Sequence, residues 1–398
     1  MITGRDNDII QDATNFNADF NTGTPSVHLQ SSLMNTNIHL NVTLQAPAGP
    51  LGIIRAQGAD AIKFLQGQLT QDVALLGLAE ARLAAWCSAK GRMLASFVVL
   101  KNTQDDILLI CNASVLATTL KRLQMFVMRA QCKLTDATAQ FELQGLAGSA
   151  IDKIAGQAVF AWFTSRNDAE ITVQLPDGWH LGAAVPRAVR IRPVAGDVAG
   201  DVAGDVAGDV AATVSDTSHT ANAPTQQPQA DQSQAESLAL WQYLGVTSGI
   251  AHITPPIADA FVPQMLNYES IGGVNFKKGC YPGQEVVARS QFRGTLKRRA
   301  YIVSCAAPLA AGQEVFDSTD PTQPCGTVAS AAAVPGSARQ WLAIVSMQTR
   351  AAASPRLSLA ATVGVDSADG MGGADGALAA EGATLHLQPL PYALLEDI

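Results

Sequence analysis

Residues 276–299 read FKKGCYPGQEVVARSQFRGTLKRR, and the chain's organisation is clearest when read outward from them. Gly279 and Gly283 bracket Cys280, Tyr281 and Pro282, so the backbone can turn sharply there and another group can approach without meeting a Cβ. Pro282 suits the first position of a helix, and Gln284 to Arg289 continue it, with Glu285 and Arg289 spaced for an i,i+4 ion pair. Cys280 then precedes a helix N-terminus and follows Lys277 and Lys278, which is the electropositive setting of a reactive cysteine. The competing reading is a small, inert cysteine buried in a structural turn.

The surrounding chain has 398 residues, 47% of them hydrophobic, enough for two or three well-buried domains. It contains no run approaching the ~18 apolar residues that cross a bilayer, and its N-terminus lacks the apolar stretch of a secretory signal. A cytoplasmic protein with no membrane partner is expected. The six cysteines (Cys87, Cys111, Cys132, Cys280, Cys305, Cys325) lack C-x-x-C spacing, which argues against a disulfide framework and against a local metal motif. Net charge is −8, yet Lys277, Lys278, Arg289, Arg293, Lys297, Arg298 and Arg299 crowd one segment holding a single acid, Glu285. That polarity predicts an anionic ligand or partner at this face, or else a merely solvated basic surface.

Residues 1–46 are rich in Asn, Thr, Ser and Asp without periodicity and read as a disordered extension. An α+β region is expected over 47–192. It opens with a strand at Leu51–Arg55, followed by a helix that Asp60 would cap, with Ile62, Leu65 and Leu69 on one face. Two apolar strands flank Lys90-Gly91-Arg92 as a hairpin, and a third, Ile107–Cys111, precedes a helix carrying Leu116, Leu120, Leu123 and Val127 on one side. Further strands are expected at Ala158–Phe163 and Ile171–Leu175. Residues 193–237 include four copies of A-G-D-V from Ala195 to Val210 and read as a low-complexity, flexible insertion. The α+β core resumes over 238–296 with an amphipathic helix bearing Leu240, Tyr243 and Leu244 beside Trp241. From 297 to 398 short apolar runs separated by Gly, Pro and Ser predict an all-β barrel, with a loose loop at Val365–Gly382.

Gly58-Ala59-Asp60-Ala61, Phe64-Leu65-Gln66-Gly67-Gln68-Leu69-Thr70, Lys90-Gly91-Arg92, Phe261-Val262-Pro263-Gln264 and Lys278-Gly279-Cys280-Tyr281-Pro282-Gly283-Gln284-Glu285 together resemble the YgfZ family of folate-binding proteins. The tail Leu385-His386-Leu387-Gln388-Pro389-Leu390-Pro391-Tyr392 fits its bacterial members. The resemblance implies a fold similar to the glycine cleavage T-protein: a ring of three subdomains around a folate-sized hole, the last a β-barrel. It implies tetrahydrofolate as cofactor, iron–sulfur enzymes or assembly proteins as clients, and an indirect link to tRNA through methylthiolating enzymes. Trp241 matches one family tryptophan of the folate site, and Leu51 stands where the other is expected. Gln284, Glu285 and Arg289 of the motif complete the candidate ligand-binding set, and Cys280 with Lys278 forms the candidate reactive pair. No metal site is expected. The T-protein's catalytic aspartate falls where this chain reads Gly91-Arg92-Met93-Leu94-Ala95-Ser96, so the acid needed for aminomethyl transfer is missing.

Three functions compete at this level. The first is a tetrahydrofolate-binding accessory factor for iron–sulfur cluster synthesis or repair, with Cys280 as nucleophile or transient ligand. The second is a folate-dependent one-carbon transferase, weakened by the missing aspartate. The third is a tRNA-binding module built on Lys277–Arg299, in which only Tyr281 and Phe292 supply aromatic faces.

Overall fold

The computed structural model describes residues 43–151, 162–167, 170–194, 227–292, 296–317, 320–337, 339–354, 356–359 and 383–395. The A-G-D-V repeat, the loop expected at Val365–Gly382 and most of the expected N-terminal extension lie outside them.

Strands β2 (Leu51–Gln57), β3 (Glu80–Cys87), β4 (Met93–Thr103), β5 (Asp106–Asn112) and β6 (Lys133–Asp136) form one half of a ten-stranded antiparallel sheet in the order β3-β4-β5-β2-β6. Their sequences are apolar in continuous runs because both faces are buried. Ile54, Phe97, Val99 and Leu109 pack under helices α1 (Ala61–Gln66) and α2 (Ala113–Val127), with Leu65, Leu116 and Leu123. The alternate residues Ile53, Val98, Leu108 and Ile110 turn inward to a central core.

The other half of the sheet contains β1 (Thr43–Pro47), β7 (Phe141–Gly148), β8 (Trp162–Asn167), β9 (Glu170–His180) and β10 (Ala183–Pro193), in the order β1-β7-β10-β9-β8. It is joined to the first half where Glu80 and Ala81 of β3 pair with Phe163 and Trp162 of β8. Helix α3 (Gln227–Thr247) packs on it, with Leu244 against Gly178 of β9.

Beyond a connecting segment and helix α4 (Gln284–Phe292), strands β11 (Arg298–Cys305), β12 (Glu314–Asp317), β13 (Asp320–Ala333), β14 (Trp341–Gln348), β15 (Leu357–Leu359) and β16 (Thr384–Gln388) close into a barrel in the order β11-β14-β13-β12-β15-β16. Val303, Val315, Val328, Val345 and Met347 fill its interior. Ala300, Ile302 and Ile344, on the opposite face, join the central core that the two half-sheets and α3 also share. The α+β class with a β-barrel at the C-terminal end is therefore as expected from sequence.

The connecting segment locks these blocks together. Asn267, in a left-handed conformation at φ 58°, holds both backbone groups of Ala300, accepting from its N–H at 3.1 Å and donating to its carbonyl at 2.9 Å. Its amide also donates to the Tyr392 hydroxyl, which donates in turn to the Gly249 carbonyl. Glu269 and Arg299 form a buried ion pair at 2.9 Å.

Several local expectations are corrected. Strand β1 occupies Thr43–Pro47, inside the span read as extension; it needs only backbone pairing with β7 and shows no apolar pattern in the sequence. Helix α3 starts at Gln227, within the expected insertion: its Gln, Ala and Glu residues are good helix formers, and residues 233–236 remain exposed. Asp60 does not cap α1; its carboxylate accepts from the Gln131 N–H at 2.8 Å. Leu69 lies past α1 and bridges to Trp86. Pro282 is not the first helical residue, since Gly283 at φ +79° interrupts before α4.

Candidate functional site

The signature stretch is held by contacts among motifs that are far apart in sequence. Gly283 seats against the β3–β4 turn so closely that a Cβ on it would lie 2.4 Å from the Ser88 carbonyl oxygen and 2.6 Å from Gly91 N and Cα. The glycine of K-G-R and the second glycine of the cysteine loop are thus one packing unit. Asp259 and Phe261 extend that turn through backbone bonds to both sides of Met93, and Ser88 donates to Asp259 at 2.9 Å. Gln264, fully buried, donates to the Val287 carbonyl of α4 at 2.7 Å. Thr70 accepts from Ala85 N–H and donates to the Gly273 carbonyl at 2.7 Å, fixing the segment that leads into the loop.

Lys278 is the clamp at the centre. Its ammonium donates to the carbonyls of Gln66, the last residue of α1, and Leu69, just beyond it, and lies 5.0 Å from the centre of the Tyr281 ring. Burial pulls its pKa down to about 8, against the opposing pull of Asp72 and Cys280. Cys280 itself is the exposed member of the six cysteines. The others differ in kind: burial pushes the thiols of Cys87 and Cys111 up to about 12 and that of Cys132 to about 11, and raises Cys325 as well. The result is an accessible thiol on a rigidly framed loop, with one buried ammonium close by. Among the described residues no three His, Cys, Asp or Glu side chains are grouped to hold a metal ion.

A second site lies in the central core. Leu51, Trp162, Arg187, Trp241, Gly245, Ser248 and His252 are among the residues lining a cavity with free space of about 90 Å³. Trp241 is buried and lies so close to β7 that a Cβ on Gly145 would stand 2.9–3.0 Å from its ring atoms. The Arg187 guanidinium lies over the same ring, 4.7 Å from its centre. Arg187 is 7% exposed, its Nε has no hydrogen-bond partner among the described residues, and burial draws its pKa down to about 10 in spite of Asp177. Burial, with the charge of Arg187, also takes His252 down to about 4, so its imidazole is neutral at pH 7. Ser96 Oγ accepts from the Ile253 N–H at 2.9 Å and stands 3.4 Å from His252 Nδ1. Among the described residues no carboxylate lines this cavity.

The structure therefore divides the residues singled out from sequence. Leu51 and Trp241 share the central cavity, whereas Lys278 and Cys280 belong to the surface loop. Gln284, Glu285 and Arg289 start α4 and do not line the cavity; Glu285 and Arg289 pair with each other at 2.9 Å on an exposed face. Arg187, Trp162 and His252 were missed. Arg187 carried a usable signal: it alternates with Val189 and Ile191 on the buried face of β10, where a charge needs a reason. His252 sits in a loop with no periodicity to expose it. The basic segment also disperses: Arg299 is buried on Glu269 and Lys278 on carbonyls, while among the described residues Lys277, Arg289, Lys297 and part of Arg298 stay at the surface.

An aromatic, cationic cavity lacking a carboxylate suits a flat, electron-rich heteroaromatic ring better than an acid–base reaction. Its free space is below the ~300 Å³ usual for ligand pockets, so a ring stacking on the guanidinium side of Trp241 would displace Arg187.

Comparison with known proteins follows the same lines. Residues 48–170 match the family model of the GCVT N-terminal domain. The crystal structure of glycine cleavage system aminomethyltransferase T from Bartonella henselae shares the fold, with a TM-score of 0.50 at 13% identity, covering 79% of this chain and 81% of that one. The tRNA-modifying protein YgfZ of Photorhabdus laumondii is 28% identical over 87% of this chain and 91% of its own length. That of Klebsiella pneumoniae is 30% identical over 63% of this chain and 68% of its own. With 30% identity to the tRNA-modifying protein YgfZ of Sodalis glossinidius over 73% of this chain and 77% of that protein, the chain belongs to the YgfZ family.

Proposed function

We propose that this protein is a cytoplasmic, tetrahydrofolate-binding accessory factor for the synthesis or repair of iron–sulfur clusters in selected enzymes, tRNA-methylthiolating enzymes among them. The observation that carries this reading is the central cavity, in which Trp241 and Arg187 face one another and, among the described residues, no carboxylate is part of the lining. In a T-protein-like fold such a cavity suits binding of a reduced pterin or aminobenzoyl ring, with Arg187 and His252 supplying polar contacts. It does not suit general-base catalysis of aminomethyl transfer. The chemistry directed at clients then falls to Cys280, which is exposed and does not line the cavity.

The test separates the two sites. Tetrahydrofolate binding is measured by calorimetry for wild type, Trp241→Ala and Cys280→Ser, and client-enzyme activities are measured after complementation of a cluster-maintenance mutant. Trp241→Ala is expected to weaken tetrahydrofolate at least about tenfold, the loss of roughly 1.4 kcal/mol of ring contact. Cys280→Ser is expected to bind the folate normally and fail to restore the clients. Unchanged folate affinity in Trp241→Ala would move the ligand elsewhere; full rescue by Cys280→Ser would leave the loop as a structural turn.

A further inference from the structure

A groove of about 780 Å³ runs between helix α4 and the barrel. One wall is Ser290, from the last turn of α4, together with Val262, Gln264 and Met265; the other is Lys297, Arg298, Gln348, Thr349 and Arg350, where β11 and β14 end side by side. Among its described lining side chains three are cations and none is an acid. Among the described residues Lys297, Arg298 and Arg350 make no ion pair, although the chain as a whole carries a net charge of −8. Lys297 and Arg350 are exposed, and Arg350 is oriented by donating from Nε to Gln348 at 2.7 Å. On the floor, Gln264 is fully buried, and its Oε1 has no partner among the described residues while its amide nitrogen is engaged with Val287.

We propose that this groove binds the sugar–phosphate backbone of RNA. Three cations with no acid among the described lining residues favour a polyanion, although Arg350 also borders a neighbouring pocket lined by Asp317 and Asp320. The Thr349 hydroxyl and the amide nitrogen of Gln348 offer hydrogen bonds to phosphate oxygens, and the Ser290 hydroxyl, which donates to the Val286 carbonyl, can still accept from a ribose hydroxyl. Among the described residues no aromatic side chain lines the groove, so recognition is expected to rest on the backbone. The nine residues of α4 span about 13 Å at 1.5 Å per residue, so a strand in the groove lies roughly one short helix from the Cys280 loop at its other end.

The test uses the full chain and an unmodified tRNA transcript, followed by fluorescence anisotropy over a range of salt concentrations. The variants are Lys297→Gln, Arg298→Gln, Arg350→Gln and the triple change, with Lys121→Gln on α2 as a cation outside the groove. Each single change is expected to weaken binding several-fold at low salt and to reduce the slope of log affinity against log salt by about 0.7–0.9. The triple change should remove nearly all affinity, with Lys121→Gln unaltered. Thermal melting and tetrahydrofolate affinity of each variant establish that it is folded; should the triple change fail to fold, the single changes at exposed Lys297 and Arg350 carry the test. The proposal is overturned if wild type does not bind tRNA at low salt, if the groove variants keep its affinity and slope, or if polyglutamate competes as well as RNA, which would mark the groove as a surface for an acidic protein.

Discussion

The cysteine loop and the central cavity are built on opposite plans. The loop is fixed by backbone: glycine against glycine, carbonyls on an ammonium, threonine and glutamine side chains on peptide groups, leaving one thiol outside. The cavity is fixed by side chains: tryptophan, arginine and histidine are enclosed by apolar neighbours, and part of their polarity is left unmet. A frame of backbone contacts tolerates almost any change at the side chain it displays but none in the frame itself. A cavity of side chains tolerates substitution in its fold yet registers it in the ligand. The two regions therefore separate stability from function in opposite ways.

The sharpest test of the backbone plan is Gly283→Ala. The position is at φ +79° and its Cβ would press on Ser88 and Gly91 main chain, so a loss of about 4 kcal/mol in urea unfolding is expected, large enough to be diagnostic. A loss below about 1 kcal/mol would mean the loop and the hairpin turn are free to separate.

Lys278→Met comes next. Removing the ammonium leaves the carbonyls of Gln66 and Leu69 unpaired and should cost about 2 kcal/mol at pH 7. The pH dependence carries a sign. With the folded pKa drawn down to about 8 from the ordinary 10.5, the unfolded chain holds this proton more tightly over that interval. The contribution of Lys278 to stability therefore rises as pH climbs from about 8 toward 10.5. The difference between wild-type and Lys278→Met unfolding curves across that window isolates the effect, and a difference that falls with pH would contradict a desolvated ammonium.

Arg187→Met probes the cavity. The guanidinium is buried with one nitrogen unpartnered, so an apolar replacement of similar length should leave the melting temperature within a few degrees of wild type or above it. Tetrahydrofolate affinity should fall about tenfold, the loss of roughly 1.4 kcal/mol of charged hydrogen bonding. A collapse in stability with no change in affinity would reverse the assignment and make Arg187 structural.

The smallest effect is expected at Cys280→Ser, whose stability should match wild type within about 0.5 kcal/mol because the side chain is exposed. In wild type, mass spectrometry after brief alkylation at neutral pH should find label on Cys280 ahead of Cys87, Cys111, Cys132 and Cys325, where burial disfavours ionisation. Prior labelling of any of those four would break the contrast between the two regions.

The sequence alone was enough for the parts governed by local rules. The hairpin around Lys90-Gly91-Arg92, the helix bearing Leu116 and Leu123, the β texture after residue 297 and the tight loop at Cys280 all follow from periodicity and from glycine, and the structure contains them. Trp241 and Leu51 follow from family resemblance, and both are among the residues that line the central cavity. Tertiary structure alone decided which charges are available. Among the described cations of that segment, Arg299 joins a buried pair, Lys278 becomes a clamp on two carbonyls, Arg289 a surface pair, and Lys297 and Arg298 line one groove, because each side chain's fate depends on what the fold packs against it. It also decided that Asp60 serves the Gln131 backbone and not its own helix, and that Arg187 lies on Trp241, a residue 54 positions away by numbering (241 − 187). Periodicity reports which face of an element is buried; it carries no record of which distant element that face will meet.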